Sequence, residues 1–246
     1  MKNSVIFTIA MIVIASLSTA TAQDFNLSGQ TMLHSKYIGP DGLQFYGKPV
    51  LQSSVTLNHK SGLFFDLWCS TGLNTQFSND WDDEIDYTIG WSGKVSPFLL
   101  NASLSYFDNF KNFSFTYNDV VKSNVTLSYT KEVNGKIKIS PFLSWTKFMI
   151  PNKNTPFVGG NLYSIGCNNE IVITEKVKVT PLVQLTFDDG AFDVKSGGLI
   201  KLSSNLNWTL SKHFVWNVVE ATFYSPFKQR GMRNEFILGT GLSYTL

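Results

Sequence analysis

The chain has 246 residues, a formal net charge of +2, 15% charged residues and 14% aromatic residues, with 20 Phe among them. Soluble domains carry about 25% charged residues, so a water-facing surface of this composition would be poor in Lys and Glu and prone to association. A surface that faces lipid accounts for the deficit. The near-zero charge offers no footprint for a nucleic acid, and no nucleotide-binding or zinc-binding motif occurs, so no nucleic-acid partner and no cofactor are expected.

Lys2, the apolar run over residues 5–17 and the small residues Ala20-Thr21-Ala22 have the layout of a secretory signal. The run is shorter than the roughly 20 residues of a membrane-spanning helix. Residues 1–22 are expected to be a signal peptide and 23–246 the mature domain. No Cys stands at the cleavage site to make a lipoprotein.

After the signal, apolar and polar residues alternate almost throughout, and no later run is long enough for a helix to cross a bilayer. Ile85, Tyr87, Ile89 and Trp91 share one face against Glu84, Asp86, Thr88 and Gly90. Val177, Val179, Val183, Leu185 and Phe187 oppose Lys178, Thr180, Gln184 and Thr186. Period two means strand. About twelve strands are predicted, near 25–38, 48–58, 62–72, 83–92, 97–107, 119–130, 136–148, 157–173, 176–187, 198–210, 213–224 and 233–246. Each reaches the roughly 9–11 tilted residues that cross a membrane.

Short and long connections alternate. Tight turns are expected at 58–62, 92–94, 132–135, 175–176 and 211–212, and longer loops at 39–47, 73–82, 108–118, 150–156, 188–197 and 225–232. This is the pattern of an all-β, up-and-down antiparallel transmembrane β-barrel with an even strand number and both termini periplasmic. Tracing the strands up and down puts Tyr37, Tyr106, Trp145, Phe187 and Phe223 at the outer ends and Trp91, Tyr129, Trp208 and Tyr244 at the periplasmic ends, two aromatic girdles. A soluble periplasmic barrel or sandwich would alternate too, with its apolar face turned inward. Cys69 and Cys167 fall on strands that are not neighbours and read as two free thiols. The last strand should pair with the strand beginning near Phe25 and serve as the segment read by the barrel assembly machinery.

The inward-facing ionisable residues, by parity, are His34, Lys36, Asp66, Glu84, Asp86, Lys122, Lys138, Glu170, Lys178, Lys201, Glu220, Arg233 and Glu235. They are the candidate lumen-lining residues. Their signs are balanced, so they either pair across the lumen and stiffen it or line a watery path of weak ion preference. Phe64, Trp68, Phe142 and Phe148 also point inward and should narrow it. No loop stands out as a constriction. Of the three His, His59 and His213 sit in turns, and His34 and Ser35 are adjacent on a strand and so point to opposite faces. No catalytic set is expected, and acidic pairs such as Asp82-Asp83 and Asp188-Asp189 read as solvated loop tips ahead of a metal site.

The first third of the mature chain resembles the TorF-type porin family of Gram-negative bacteria. The likeness runs through Ser35-Lys36-Tyr37, Gly47-Lys48-Pro49-Val50-Leu51-Gln52 and His59-Lys60-Ser61-Gly62-Leu63-Phe64. Trp68 with Ser70 and the stretch Glu84-Ile85-Asp86-Tyr87-Thr88-Ile89-Gly90-Trp91 continue it. The family's Arg-Gly after the Tyr is replaced by Gly39-Pro40-Asp41-Gly42. The resemblance implies an outer-membrane location and a pore, with no catalytic residues and no known substrate. Separately, a twelve-strand lumen is narrower than a 16-stranded porin's and suits small solutes, and a lipid-facing outside makes outer-membrane lipids the surroundings. A structural or binding barrel with a blocked lumen, and an outer-membrane lipid hydrolase, are the alternatives.

Overall fold

The computed structural model describes residues 24–39, 42–73, 84–108, 119–150, 158–193, 195–227 and 232–246. The signal segment expected at 1–22 lies outside the described residues, as does the acidic pair Asp82-Asp83.

Alternating β-branched and aromatic residues with Ser, Thr and Asn favour a pleated, half-exposed surface, and the chain forms long strands. They are β1 (Phe25–His34), β2 (Val50–His59), β3 (Leu63–Gly72), β4 (Glu84–Val95), β5 (Phe98–Asp108), β6 (Val120–Ser128), β7 (Ile137–Met149), β8 (Gly160–Val172), β9 (Val177–Asp188), β10 (Gly197–Thr209), β11 (Phe214–Phe227) and β12 (Glu235–Thr245). The two-residue piece Lys131–Glu132 continues β6 along β7. Sequential strands pair antiparallel, and β12 returns onto β1 from Ser28↔Thr245 to His34↔Gly239. The twelve-strand sheet is therefore a closed barrel. Closure leaves no edge whose N–H and C=O groups would sit unpaired in hydrocarbon, where each costs several kcal/mol.

The connections separate into a turn end (60–62, 96–97, 129–136, 173–176, 210–213) and a loop end (35–49, 73–83, 109–119, 150–159, 189–196, 228–234). Three predicted boundaries that fall on described residues move by three residues or more. Strand β11, expected to end at 224, runs on to Phe227. The turn expected at 92–94 is strand, because Gly93, Lys94 and Val95 pair with Leu100, Leu99 and Phe98, so the reversal is made by Ser96-Pro97. The first strand, expected to reach 38, leaves the sheet at His34. Tyr37–Ile38 instead pairs with Gln44–Tyr46 in a hairpin of its own.

The outward face is apolar and exposed: Ile89 is 60% exposed, Leu143 58% and Val183 55%. The inward face is built from Ser, Thr, Asn and the ionisable residues. A soluble barrel or sandwich would bury its apolar face, so the inversion excludes that alternative and makes the exposed band a lipid surface. Aromatics mark both borders of the band. At the loop end Trp145, Tyr163 and Phe187 stand side by side in register on β7, β8 and β9. At the turn end Trp208 stacks on Trp216 at 6.2 Å and Phe98 meets Tyr129 edge-on at 6.2 Å. Tyr37 is the exception to the predicted girdles: it is only 9% exposed, because its hairpin turns it inward. Cys69 on β3 and Cys167 on β8 are both free thiols.

Candidate functional site

The inward face changes character along the barrel axis. At the turn end it is water-accessible: Lys138 and Lys178 are 46% and 39% exposed. At the loop end the inward residues are sealed, with Ser70 at 1%, Glu84 and Thr222 at 2% and Thr186, on the same strand as Lys178, at 0%. On β10 the step is visible in one strand, where Leu199 is buried and Lys201, Ser203, Asn205 and Asn207 are all partly open.

The ionisable residues form local pairs. Lys138 and Lys178 donate to the two carboxylate oxygens of Glu170 at 3.1 and 3.3 Å, across β7, β8 and β9. The Glu235 carboxylate takes Lys36 and Arg233 at 2.7 Å each. His34 lies 3.4 Å from Glu220 and 2.9 Å from Gln52. Lys122 sits 4.6 Å from the centre of the Phe107 ring and shares its surroundings with Asp66, Glu84 and Asp86. Lys201 lies 5.4 Å from the Tyr224 ring centre. Asp66 also accepts from the Thr56 hydroxyl. Arg233 departs from the parity reading, because it precedes β12 and is 78% exposed, so it lies on the rim. Lys36 lies beyond the end of β1 yet still reaches the inward Glu235.

Two of the bulky rings predicted to narrow the lumen lie over wall glycines. Gly90 faces Phe64 and Gly166 faces Phe142 in register, and a Cβ on either glycine would stand 2.3 and 2.6 Å from the ring. The glycines give each ring a seat against the wall, so these rings pave it. Trp68 and Phe148 are different, because both contact the loop-end closure described next.

That closure is the feature sequence parity missed, and it corrects the expectation that no loop constricts the lumen. The hairpin of Tyr37–Ile38 and Gln44–Tyr46 folds inward over the mouth. The Tyr37 hydroxyl donates to Glu84 at 2.7 Å, and its ring meets Trp68 at 5.7 Å and Phe45 at 5.1 Å. Ile38 packs with the inward residues Leu199, Tyr224 and Ile237 of β10, β11 and β12. Gly42 has φ +83°, and a Cβ there would come within 2.8 Å of Leu199, so the bend needs glycine on two counts. Leu43 packs against a second buried cluster of Phe107, Val120, Phe148, Leu162, Ala191 and Phe192. Phe192 has φ 58°, a left-handed conformation that costs a non-glycine residue about 1–2 kcal/mol. It is held there by the Phe148 ring at 4.7 Å, the Phe45 ring at 6.1 Å and its N–H donating to Val158 O at 2.9 Å. Such strain persists only where the surroundings over-determine it.

The remaining candidates are structural. Ser35 Oγ accepts from the Leu238 N–H and does not meet His34. His59 bonds Ser61 and His213 bonds Thr245 O, both at the turn end. Asp188 caps the N–H groups of Gly190 and Ala191, and Asp189 binds the backbone and side chain of Asn161. Both carboxylates are thus committed to holding the turn that presents Phe192.

No protein-family model matches the sequence, and none of the curated proteins matches it. Solved structures do. The NanC porin superposes with a TM-score of 0.57 at 9% identity, covering 89% of this chain and 100% of its own. The KdgM porin in complex with disordered oligogalacturonate gives 0.54 at 8%, covering 89% and 98%. The COG4313 outer membrane channel from Pseudomonas putida F1 gives 0.55 at 10%, covering 91% and 96%. Identities this low carry the fold alone: the chain shares the closed antiparallel barrel of these outer-membrane proteins, and the TorF-type likeness rests on its motifs alone.

Proposed function

We propose that the chain is a porin-like channel of the Gram-negative outer membrane, through which small solutes diffuse passively. In this reading residues 1–22 are removed on export, the tight turns and both termini face the periplasm, and the loop end faces outward. The observation that carries it is the inverted barrel: an apolar exterior around a polar interior that is half-open at the turn end. A packed structural barrel has no need of such an interior. The inward charges are balanced and locally paired, so the expected ion preference is weak. A lumen narrower than a 16-stranded porin's admits small solutes and excludes large ones. Outer-membrane lipids surround the apolar band. The assembly machinery would read β12, whose outward side chains include Phe236, Leu238, Leu242 and Tyr244.

Purified, heat-modifiable protein added to a planar bilayer should give discrete conductance steps, and liposomes containing it should swell in small sugars and resist large ones. Silence over many insertions of folded protein overturns the proposal. The alternative of a blocked structural or binding barrel is favoured by one observation, the apolar closure of the mouth, and predicts that silence.

A further inference from the structure

We infer that the hairpin of Tyr37–Ile38 and Gln44–Tyr46 is a movable gate: the structure holds its closed state, and conduction requires it to swing out of the mouth. The inference rests on the channel reading above and names how that channel is regulated.

Three observations carry it. First, the hairpin blocks from inside. Its residues meet inward side chains from opposite parts of the wall, Glu84 and Trp68 on β4 and β3 at one side and Leu199, Tyr224 and Ile237 on β10 to β12 at the other. It thus spans the bore. Secondly, it is separable from the wall. The ladder of β1 ends at His34 against both neighbours, and Ser35 holds the near side through two bonds with Leu238, its N–H donating to Leu238 O and its Oγ accepting from the Leu238 N–H. Backbone bonds within the hairpin, Gly39 N–H to Leu43 O and Gly42 N–H to Gly39 O, hold its described residues together. It can leave without breaking any strand pairing of the barrel. The wall holds the far side at Pro49, whose carbonyl accepts from the Leu73 N–H at 3.0 Å, and the exposed Gly47-Lys48 pair before it is the joint on that side. Thirdly, its hold on the wall is of two separable kinds. One is polar, the Tyr37–Glu84 bond and the Lys36–Glu235 pair. The other is apolar, Ile38 on Leu199 and Leu43 with Phe45 on the cluster around Phe192. An apolar seal across a narrow bore also excludes water from the ion path, so a small displacement that admits water is enough to switch conduction on.

The test uses single-channel recording of full-length protein in planar bilayers, with heat-modifiability as the check on folding. One variant releases the gate (Tyr37→Ser, Ile38→Ser, Leu43→Ser and Phe45→Ser together). A second locks it (Ile38→Cys with Leu199→Cys, in a Cys69→Ser, Cys167→Ser background). Wild type should switch between a closed or low level and a several-fold higher one. The released form should stay at the high level, and the oxidised locked form should stay low until reductant restores switching. Equal, steady conductance in wild type and the released form overturns the gate and leaves the channel standing. A wild type that never opens beside a released form that conducts makes the hairpin a fixed plug and also overturns the gate. Silence in both folded forms removes the channel itself.

Discussion

Replacing Leu143 with Arg tests where the membrane lies on this barrel. Leu143 is the middle residue of β7, is 58% exposed and faces outward between Leu127 and Ile165. The same strand carries outward Ile139 toward the turn end and a native charge, Lys147, outward at the loop end just beyond Trp145. At about 3.3 Å per residue and a strand tilt of about 40°, four residues correspond to about 10 Å of height on either side of Leu143. Ile139 and Lys147 are then about 20 Å apart, close to the edges of a band about 25 Å tall, with Leu143 at its middle. Arg at a barrel's midplane costs about 2–4 kcal/mol and near an interface about 0–1. Leu143→Arg should therefore destabilise the barrel by about 2–4 kcal/mol and Ile139→Arg by about 1 at most. The assay is urea unfolding of protein refolded into lipid vesicles, followed by Trp fluorescence. Equal costs at the two positions, or a neutral Leu143→Arg, would show that this face is not in hydrocarbon and refute the placement.

Glu170→Gln removes the one carboxylate between Lys138 and Lys178, so the turn-end vestibule gains a unit of positive charge. The reversal potential in a salt gradient should move toward anion preference, and stability should change by about 1 kcal/mol or less, as for other solvent-accessible ion pairs. An unmoved potential would place the triad outside the ion path. Gly166→Val should cost about 1–3 kcal/mol by unseating the Phe142 ring from the wall, read as a lower urea midpoint than wild type; an unchanged midpoint would mean that the ring does not lie over that glycine. Cys69 and Cys167, on non-neighbouring strands, should both react with maleimide, and the protein should migrate identically with and without reductant.

The wall of this barrel was legible because its specification is local. A one-residue slip in any strand turns its whole apolar face into the lumen, so alternation alone placed β9 and β3 to within a residue of where they lie. Parity put Lys138, Glu170 and Lys178 on one face; β7 and β8 set Lys138 beside Glu170, and Lys178 reaches the same carboxylate from β9. Parity failed where the chain leaves the sheet. Tyr37 continues the outward series of β1, and alternation alone does not mark the break after His34. What turns it inward is a phenol-to-carboxylate bond with Glu84, 47 residues away, and its ring contact with Trp68, together with the packing of Ile38 on Leu199 and of Phe45 on Phe192. Phe192 is a second long-range choice, since a Phe in a left-handed turn has no local cause and is fixed by Phe148 and Phe45.

One signal did exist. Ile38, Leu43 and Phe45 are apolar residues in a loop that would otherwise face water, set among Gly39, Gly42 and Gly47. In a barrel whose outward apolar residues face lipid, an apolar loop has only the mouth left to bury it. The outside of the barrel is covered by lipid and the lower lumen by water, so the hairpin's side chains, together with the inward Phe107, Phe148, Leu199 and Ile237, can leave water only by meeting one another across the bore. The closure is thus the hydrophobic core of a molecule whose other apolar surface faces the membrane, and its being made by a hairpin instead of by the wall is what allows it to open.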